Sequence, residues 1–278
     1  MTPRELIRLM AAELADAGVP DSEVDASLLL SHITGQNPMN LRLDSWSQVS
    51  LDVEETLRAL CEKRKTRTPL QYLTGVQSFL GRDFHVDERV LIPRPETELL
   101  AERAIAALRM RPAPIALDMC CGSGCLAISM ALGDPRAQVH AADLSEGALA
   151  VTALNAERLY AKVILHQGDL FGSIPDGLRF DVIVSNPPYI PAADCLELQE
   201  EVRREPMMAL DGGADGYDFY RRIAEDAPRF LKEGGVLLME VGFDQAQGLL
   251  ALCREAGFTS AVAHEDYQHI ERMVEARL

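Results

Sequence analysis

Asp181-Val182-Ile183-Val184-Ser185-Asn186-Pro187-Pro188-Tyr189 is an apolar run that ends in a carboxamide, two prolines and an aromatic ring. Val182 to Val184 are β-branched throughout and follow Phe180, the pattern of a strand covered on both faces of a parallel sheet. Pro187 cannot continue such a strand. Each proline fixes its own φ at about −65° and biases the residue before it toward extended geometry, so Asn186 and Pro187 are both held open. The Asn186 side-chain oxygen and a neighbouring carbonyl are then free to accept hydrogen bonds from one planar NH2 group, with Tyr189 against its plane. A turn opened by Asn-Pro at a strand end is the plainer alternative, and the segments upstream decide between them.

Composition permits a sizeable core, since 278 residues with 47% hydrophobic and 25% charged suffice for one large domain or two ordinary ones. No apolar run has membrane-spanning length, and Met1-Thr2-Pro3-Arg4-Glu5 opens no leader-like stretch, so a soluble cytoplasmic protein is expected. The cysteines at 61, 120, 121, 125, 195 and 253 lack disulfide-framework spacing. Cys120, Cys121 and Cys125 crowd together without a nearby histidine or second cysteine pair, and no metal site is expected. A net charge of −16 repels phosphate backbones, so direct sequence-specific nucleic-acid binding is not expected. The basic cluster Arg58, Lys63, Arg64, Lys65 and Arg67 reads as a helix end complementing the dipole, with a docking patch as the second reading.

Helical signals fill residues 1–75. Thr2-Pro3-Arg4-Glu5 is a capping box with proline at the first helical position, followed by Leu6, Ile7, Met10 and Leu14 and stopped at Gly18. Asp21 is expected to cap a second helix, Asn37-Pro38 to start a short third, and Asp52 with Glu55 to box a fourth. Residues 76–92 read as a hairpin linker turning at Gly81. From residue 93 to 278 strands and helices alternate, which predicts an α/β doubly wound sheet whose last two strands form a reverse-direction pair at its edge.

Cys120-Cys121-Gly122-Ser123-Gly124 lies between the first strand of that sheet and the helix after it, where glycines let the backbone approach a ligand and a helix N-terminus offers N–H groups. Asp143, nineteen residues after Gly124, ends the next strand and is placed to hold two ribose hydroxyls. Asp169 and Leu170 end the third, where a carboxylate can take an exocyclic amine and a leucine can pack on a base. Asn186 ends the fourth. All four segments lie at carboxyl ends of strands, the edge where open α/β sheets bind ligands. No Lys-Ser/Thr follows the glycines, so the loop is not a P-loop, and the six histidines are too dispersed for a metal motif.

Asp-Met-Cys-Cys-Gly-Ser-Gly, Asp143, Gly-Asp-Leu and Asn-Pro-Pro-Tyr together resemble the S-adenosylmethionine motifs of class I amino-methyltransferases. Leu91-Ile92-Pro93-Arg94-Pro95-Glu96-Thr97-Glu98, Tyr72-Leu73-Thr74-Gly75 and the helical N-terminal region make nearly the whole chain similar to the HemK/PrmC-type peptide chain release factor glutamine N5-methyltransferases. The resemblance implies a seven-stranded methyltransferase sheet behind a small N-terminal helical domain that docks the substrate. It implies S-adenosyl-L-methionine as cofactor, held by Cys120 to Gly124, Asp143, Asp169, Leu170 and Asn186. The implied partner is a peptide chain release factor, methylated on the glutamine of its Gly-Gly-Gln loop. Asn186, Pro187 and Tyr189 carry the chemistry in this reading. Pro188 lines the clamp, and Arg94 and Glu96 either hold the substrate loop or serve the helix they introduce.

One departure stands out: Cys120 occupies a position that is usually glycine in the family, and Cys-Cys-Gly-Ser-Gly-Cys looks more like the sister enzymes that methylate a ribosomal-protein glutamine. Two further readings compete. An adenine-N6 methyltransferase would use the same clamp after base flipping, against which the charge weighs. A non-catalytic cofactor- or translation-factor-binding module would not need the intact Asn186 to Tyr189 loop.

Overall fold

The structure is a computed structural model that describes residues 1–278. It divides into two units, one of Met1–Val76 with Gln199–Arg204 and one of Gln77–Leu198 with Glu205–Leu278. No helix is long and apolar enough to cross a membrane.

The first unit is built from α1 (Pro3–Asp16), α2 (Ser22–Thr34), α3 (Pro38–Leu43), α4 (Leu51–Lys65) and α5 (Leu70–Thr74). The capping box of α1 is formed: the Glu5 N–H donates to the Thr2 hydroxyl at 3.3 Å and the Thr2 N–H to the Glu5 carboxylate at 2.9 Å. Leu6, Met10 and Leu14 of α1 then meet Leu29 and Leu30 of α2 and Leu57 of α4 in one core. Two expected caps are corrected. Asp21 holds the N-cap position of α2 but in left-handed geometry at φ 52° instead of the extended geometry of a capping residue, and it makes no side-chain cap bond. Helix α4 begins at Leu51, behind Ser50 in extended geometry, so Asp52 lies inside the first turn and favours the dipole from there instead of forming a box with Glu55. The short α5 is introduced by Pro69 and stopped by Gly75 in left-handed geometry at φ 69°, and its five residues are too few to show a helical period. Arg64, 4% exposed, bonds Asp25 at 2.7 Å and Glu201 at 2.8 Å, and Arg67 also pairs with Glu201 at 2.6 Å. Part of the basic cluster thus belongs to a buried ion network in this unit.

The second unit opens with a hairpin of β1 (Val76–Phe79) and β2 (Arg82–His85). Leu80 and Gly81 at φ 47° and 70° make the tight turn. Phe79 and Phe84 are buried in the same core as Leu100 and Leu126, so the hairpin is an integral layer of this unit and not a bare linker. Each ring contributes about 1.5–3 kcal/mol by leaving water. Then follow α6 (Pro95–Arg109), β3 (Ile115–Met119), α7 (Cys125–Gly133), β4 (Gln138–Asp143), α8 (Glu146–Arg158), β5 (Val163–Gln167), β6 (Phe180–Ser185), α9 (Asp218–Phe230), β7 (Leu231–Glu240), α10 (Ala246–Glu255), β8 (Ser260–Glu265) and β9 (Glu271–Arg277).

The seven strands run in the order β5-β4-β3-β6-β7-β9-β8. All of β6 is buried, as its apolar run requires between two helical layers. The strand order reverses between β3 and β6, which makes their carboxyl ends the switch point where such sheets bind ligands. The edge differs from the expected reverse pair. Only β9 is reversed, inserted antiparallel between β7 and β8, so β8 at the margin runs with the other strands.

Candidate active site

Three neighbouring strands deliver the site. Met119 of β3 pairs with Ser185 of β6, and Ser185 pairs with Met239 of β7. The residues that come next, Cys120, Asn186 and Glu240, therefore emerge side by side. The Ser185 hydroxyl donates to the Met119 carbonyl at 2.7 Å and pins the first two ends together.

Behind β3 the loop wraps a cavity of about 290 Å³ lined by Cys120 to Ser123, Asp143, Gly168 to Leu170, Asn186 and Pro188. Gly124 needs to be glycine, since at φ 79° a Cβ would stand 2.6 Å from the Thr152 methyl. Asn155 of α8, fully buried, bonds both the Ser123 carbonyl and the His85 backbone, joining loop to hairpin. The Asp143 carboxylate accepts the Gly122 N–H and the Ser145 N–H, both at 2.9 Å, one on each oxygen. Burial raises its pKa against those bonds. The Leu144 N–H also acts on this carboxylate, which still keeps acceptor capacity toward the cavity. Asp118 is fully buried: one oxygen accepts the Ala127 N–H at 2.9 Å and the other has no partner, and burial pushes its pKa up to about 8. Burial also pushes the thiols of Cys120, Cys121 and Cys125 upward, so they stand as neutral, unreactive groups.

After β6 the prolines do what their chemistry dictates, and the loop is bolted from beneath. The Asn186 Nδ2 donates to the Thr97 hydroxyl at 3.3 Å, Thr97 donates to Glu240 Oε2 at 2.6 Å, and the Tyr189 hydroxyl reaches Glu240 Oε1 at 3.5 Å. Gln245 Nε2 donates to the Tyr189 carbonyl at 2.9 Å. Gly212 lies so close that a Cβ there would be 2.7 Å from the Tyr189 Cα and 2.9 Å from the Pro188 oxygen.

With this geometry in view, the relatives are informative. The family model described as the PrmC N-terminal domain matches residues 5–75, and that of the methyltransferase small domain matches residues 97–205. A release factor glutamine methyltransferase of Geobacter sulfurreducens is 42% identical over 279 residues, spanning 100% of this chain and 97% of that protein. The chain belongs to the release factor glutamine methyltransferase family. A second member, from Deinococcus radiodurans, is 39% identical and spans 100% of this chain and 99% of its own. Among solved structures, a methyltransferase from Pyrococcus furiosus overlays 72% of this chain and 90% of its own with a TM-score of 0.51 at 17% identity, a likeness of fold alone.

Within this member of the family the structure brings together Cys120 to Ser123, Asp143, Leu170, Asn186 and Pro188 around one cavity. Asp169 reaches the rim, but its exposed carboxylate pairs with Arg222 of α9 at 2.6 Å. Arg94 is held by the buried Glu205, which also accepts the Ile92 N–H at 2.9 Å and so fixes the wall of Pro206, Met207 and Met208. Neither Arg94 nor Glu96 makes a side-chain cap bond; Glu96 sits in the first turn of α6. Thr97, Glu240, Gln245 and Glu205 were not singled out from sequence. The only signal was for Thr97, which lies inside the Pro-Glu-Thr-Glu segment.

Proposed function

We propose that this chain transfers a methyl group from S-adenosylmethionine to the side-chain amide nitrogen of the glutamine in a release factor's Gly-Gly-Gln motif. The observation that carries the reading is the Asn186 carboxamide. Its NH2 is committed to Thr97, so its oxygen is the atom left to accept from a substrate NH2, beside a nucleoside-sized cavity.

The residues present suit S-adenosylmethionine. Asp143 retains acceptor capacity for two ribose hydroxyls, and Leu170, 7% exposed, offers an apolar surface for a base. Gly122 leaves open space where any side chain would intrude. Asp169 would have to release Arg222 to take the exocyclic amine. When bound, the cofactor supplies an electrophilic methyl group.

A glutamine nitrogen is a poor nucleophile because its lone pair is shared with its carbonyl. In this reading Asn186 Oδ1 and the Pro187 carbonyl accept its two hydrogens, Pro188 closes the side, and Tyr189 lies along the amide plane. Such positioning supplies about 7–11 kcal/mol when reacting atoms are held in line at roughly 3–3.5 Å. As nitrogen becomes acidic during transfer, the same acceptors stabilise the developing positive charge until a proton passes to water. Arg94 acts through Glu205 and the methionine wall, and Glu96, in the first turn of α6, is assigned to the incoming loop in this reading. A release factor as substrate places the work in the cytoplasm.

Asn186→Ala is expected to lower kcat by about 100-fold or more, the scale of losing one transition-state hydrogen-bond partner, while cofactor Kd moves only a few-fold. Retention of kcat within about threefold would exclude the proposed role.

A further inference from the structure

We propose that Glu240 is a positioning residue that fixes, through Thr97, which face of the Asn186 carboxamide meets the substrate. This rests on the reading of Asn186 as the acceptor of a glutamine amide and supplies the reason its oxygen faces outward.

A side-chain carboxamide is nearly symmetric in shape, so packing alone does not choose between its oxygen and its NH2. Hydrogen-bond polarity does. Glu240 ends β7 in register beside Asn186, and it is 4% exposed while Thr97 is 2% exposed. Thr97 has one hydroxyl proton. With that proton given to Glu240 at 2.6 Å, the Thr97 oxygen can only accept, and it accepts from Asn186 Nδ2 at 3.3 Å. The carboxylate also receives the Tyr189 hydroxyl, so one buried anion orients both ends of the substrate loop.

Protonation of Glu240 reverses the chain. The carboxylic acid then donates to Thr97, Thr97 donates to Asn186, and the carboxamide must turn its oxygen inward. It would present NH2 to the substrate's NH2, donor against donor. The surroundings put this reversal near neutrality. Burial pushes Glu240 up to about 7, opposed by the Thr97 bond; Glu96 raises it further, whereas Arg272 of β9 and Tyr189 lower it. Arg94 acts on the Tyr189 side, Tyr220 of α9 bonds the Glu240 carbonyl at 3.0 Å, and Cys125 of α7 faces it as a neutral thiol.

The test follows the Asn186 side-chain amide resonances of isotope-labelled protein against pH, assigned by their loss in Asn186→Ala, alongside kcat on a release-factor substrate. In the wild type both are expected to change through a single midpoint near 7, with kcat falling on the acid side, and in Glu240→Gln both midpoints disappear. Thr97→Val is expected to cut kcat about 10- to 100-fold, since a misplacement of about 1 Å at the reacting groups costs on the order of 100-fold, at unchanged cofactor Kd. Thr97→Ser, which keeps the hydroxyl, restores it to within about threefold. An Asn186 titration that persists in Glu240→Gln, or wild-type kcat in Thr97→Val, overturns the proposal. A wild-type protein inactive on release factors that still shows the Glu240-dependent amide titration sinks the substrate reading and supports the relay.

Discussion

Replacing Gly212 by alanine separates positioning from binding, because the atoms nearest the added methyl are the backbone of Pro188 and Tyr189 in the proposed catalytic loop. The backbone tolerates the change, since Gly212 is not at a positive φ. The Cβ would meet the Tyr189 Cα at 2.7 Å, the Tyr189 carbonyl carbon at 2.9 Å and the Pro188 oxygen at 2.9 Å, all backbone atoms that no rotamer change can clear. Ordinary contact begins at 3.4 Å, so the loop must retreat by at least the difference, about 0.7 Å. Overpacking of this kind costs about 1–3 kcal/mol, which for a unit of this size lowers Tm by roughly 2–10 °C. A misplacement of about 1 Å costs on the order of 100-fold in rate. Gly212→Ala is therefore expected to lower kcat by about 10- to 100-fold while S-adenosylmethionine Kd, measured by calorimetry, stays within about twofold. A folded variant with wild-type kcat would refute the claim that the Pro188 to Tyr189 backbone positions the substrate.

Other perturbations read other parts of the site. Asp143→Ala removes the proposed ribose acceptor and should raise cofactor Kd by roughly 10- to 100-fold, since a hydrogen bond to a charged group is worth about 1.5–3 kcal/mol; an unchanged Kd would remove Asp143 from the cofactor site. Asp118 has its folded pKa raised to about 8 from 3.8, so its contribution to stability is full below 3.8 and is lost as pH rises through 8. Asp118→Asn cannot ionise, and chemical denaturation should show its stability relative to wild type improving between about pH 5 and pH 8. Glu201 runs the opposite way: burial would raise it, but Arg67 and Arg64 hold it at about 2, so its contribution is full above 4.5 and is lost as pH falls toward 2. Glu201→Gln should flatten acid destabilisation of the helical unit over that window, followed by its far-ultraviolet signal.

The sheet and the cavity at its carboxyl edge were legible because their determinants are local. A β-branched run that meets Pro187, glycines between a strand and a helix, and Asp143 at the next strand end each state a backbone requirement within a few residues. The polar support was not legible, because Thr97, Asn186 and Glu240 are distant in sequence: the register of β6 on β7 brings Asn186 beside Glu240, and α6 brings Thr97 to both. Strand β9 was misjudged for a related reason: its alternation shows a strand, but insertion between β7 and β8 is a property of the sheet. Asp21 and Asp52 carry good capping chemistry, yet Asp21 holds the cap position in left-handed geometry without a side-chain bond, and the extended Ser50 puts the start of α4 ahead of Asp52. Asp169 lines the cavity as its strand-end position suggests, but its pairing with Arg222, on a helix far along the chain, has no local signal. At Cys120 the sequence oddity has a physical counterpart, a non-glycine residue at φ 63° in the loop after β3.

Methylation of an intact release factor tests the central claim most directly. The factor is incubated with the protein and S-adenosylmethionine, digested, and sequenced by tandem mass spectrometry, with hydrolysis to identify the modified amino acid. One added methyl group is expected, on the side-chain amide of the glutamine in Gly-Gly-Gln, absent when Asn186 is alanine. A methyl group on another side chain, on nucleic acid in the same mixture, or on nothing at all would contradict it.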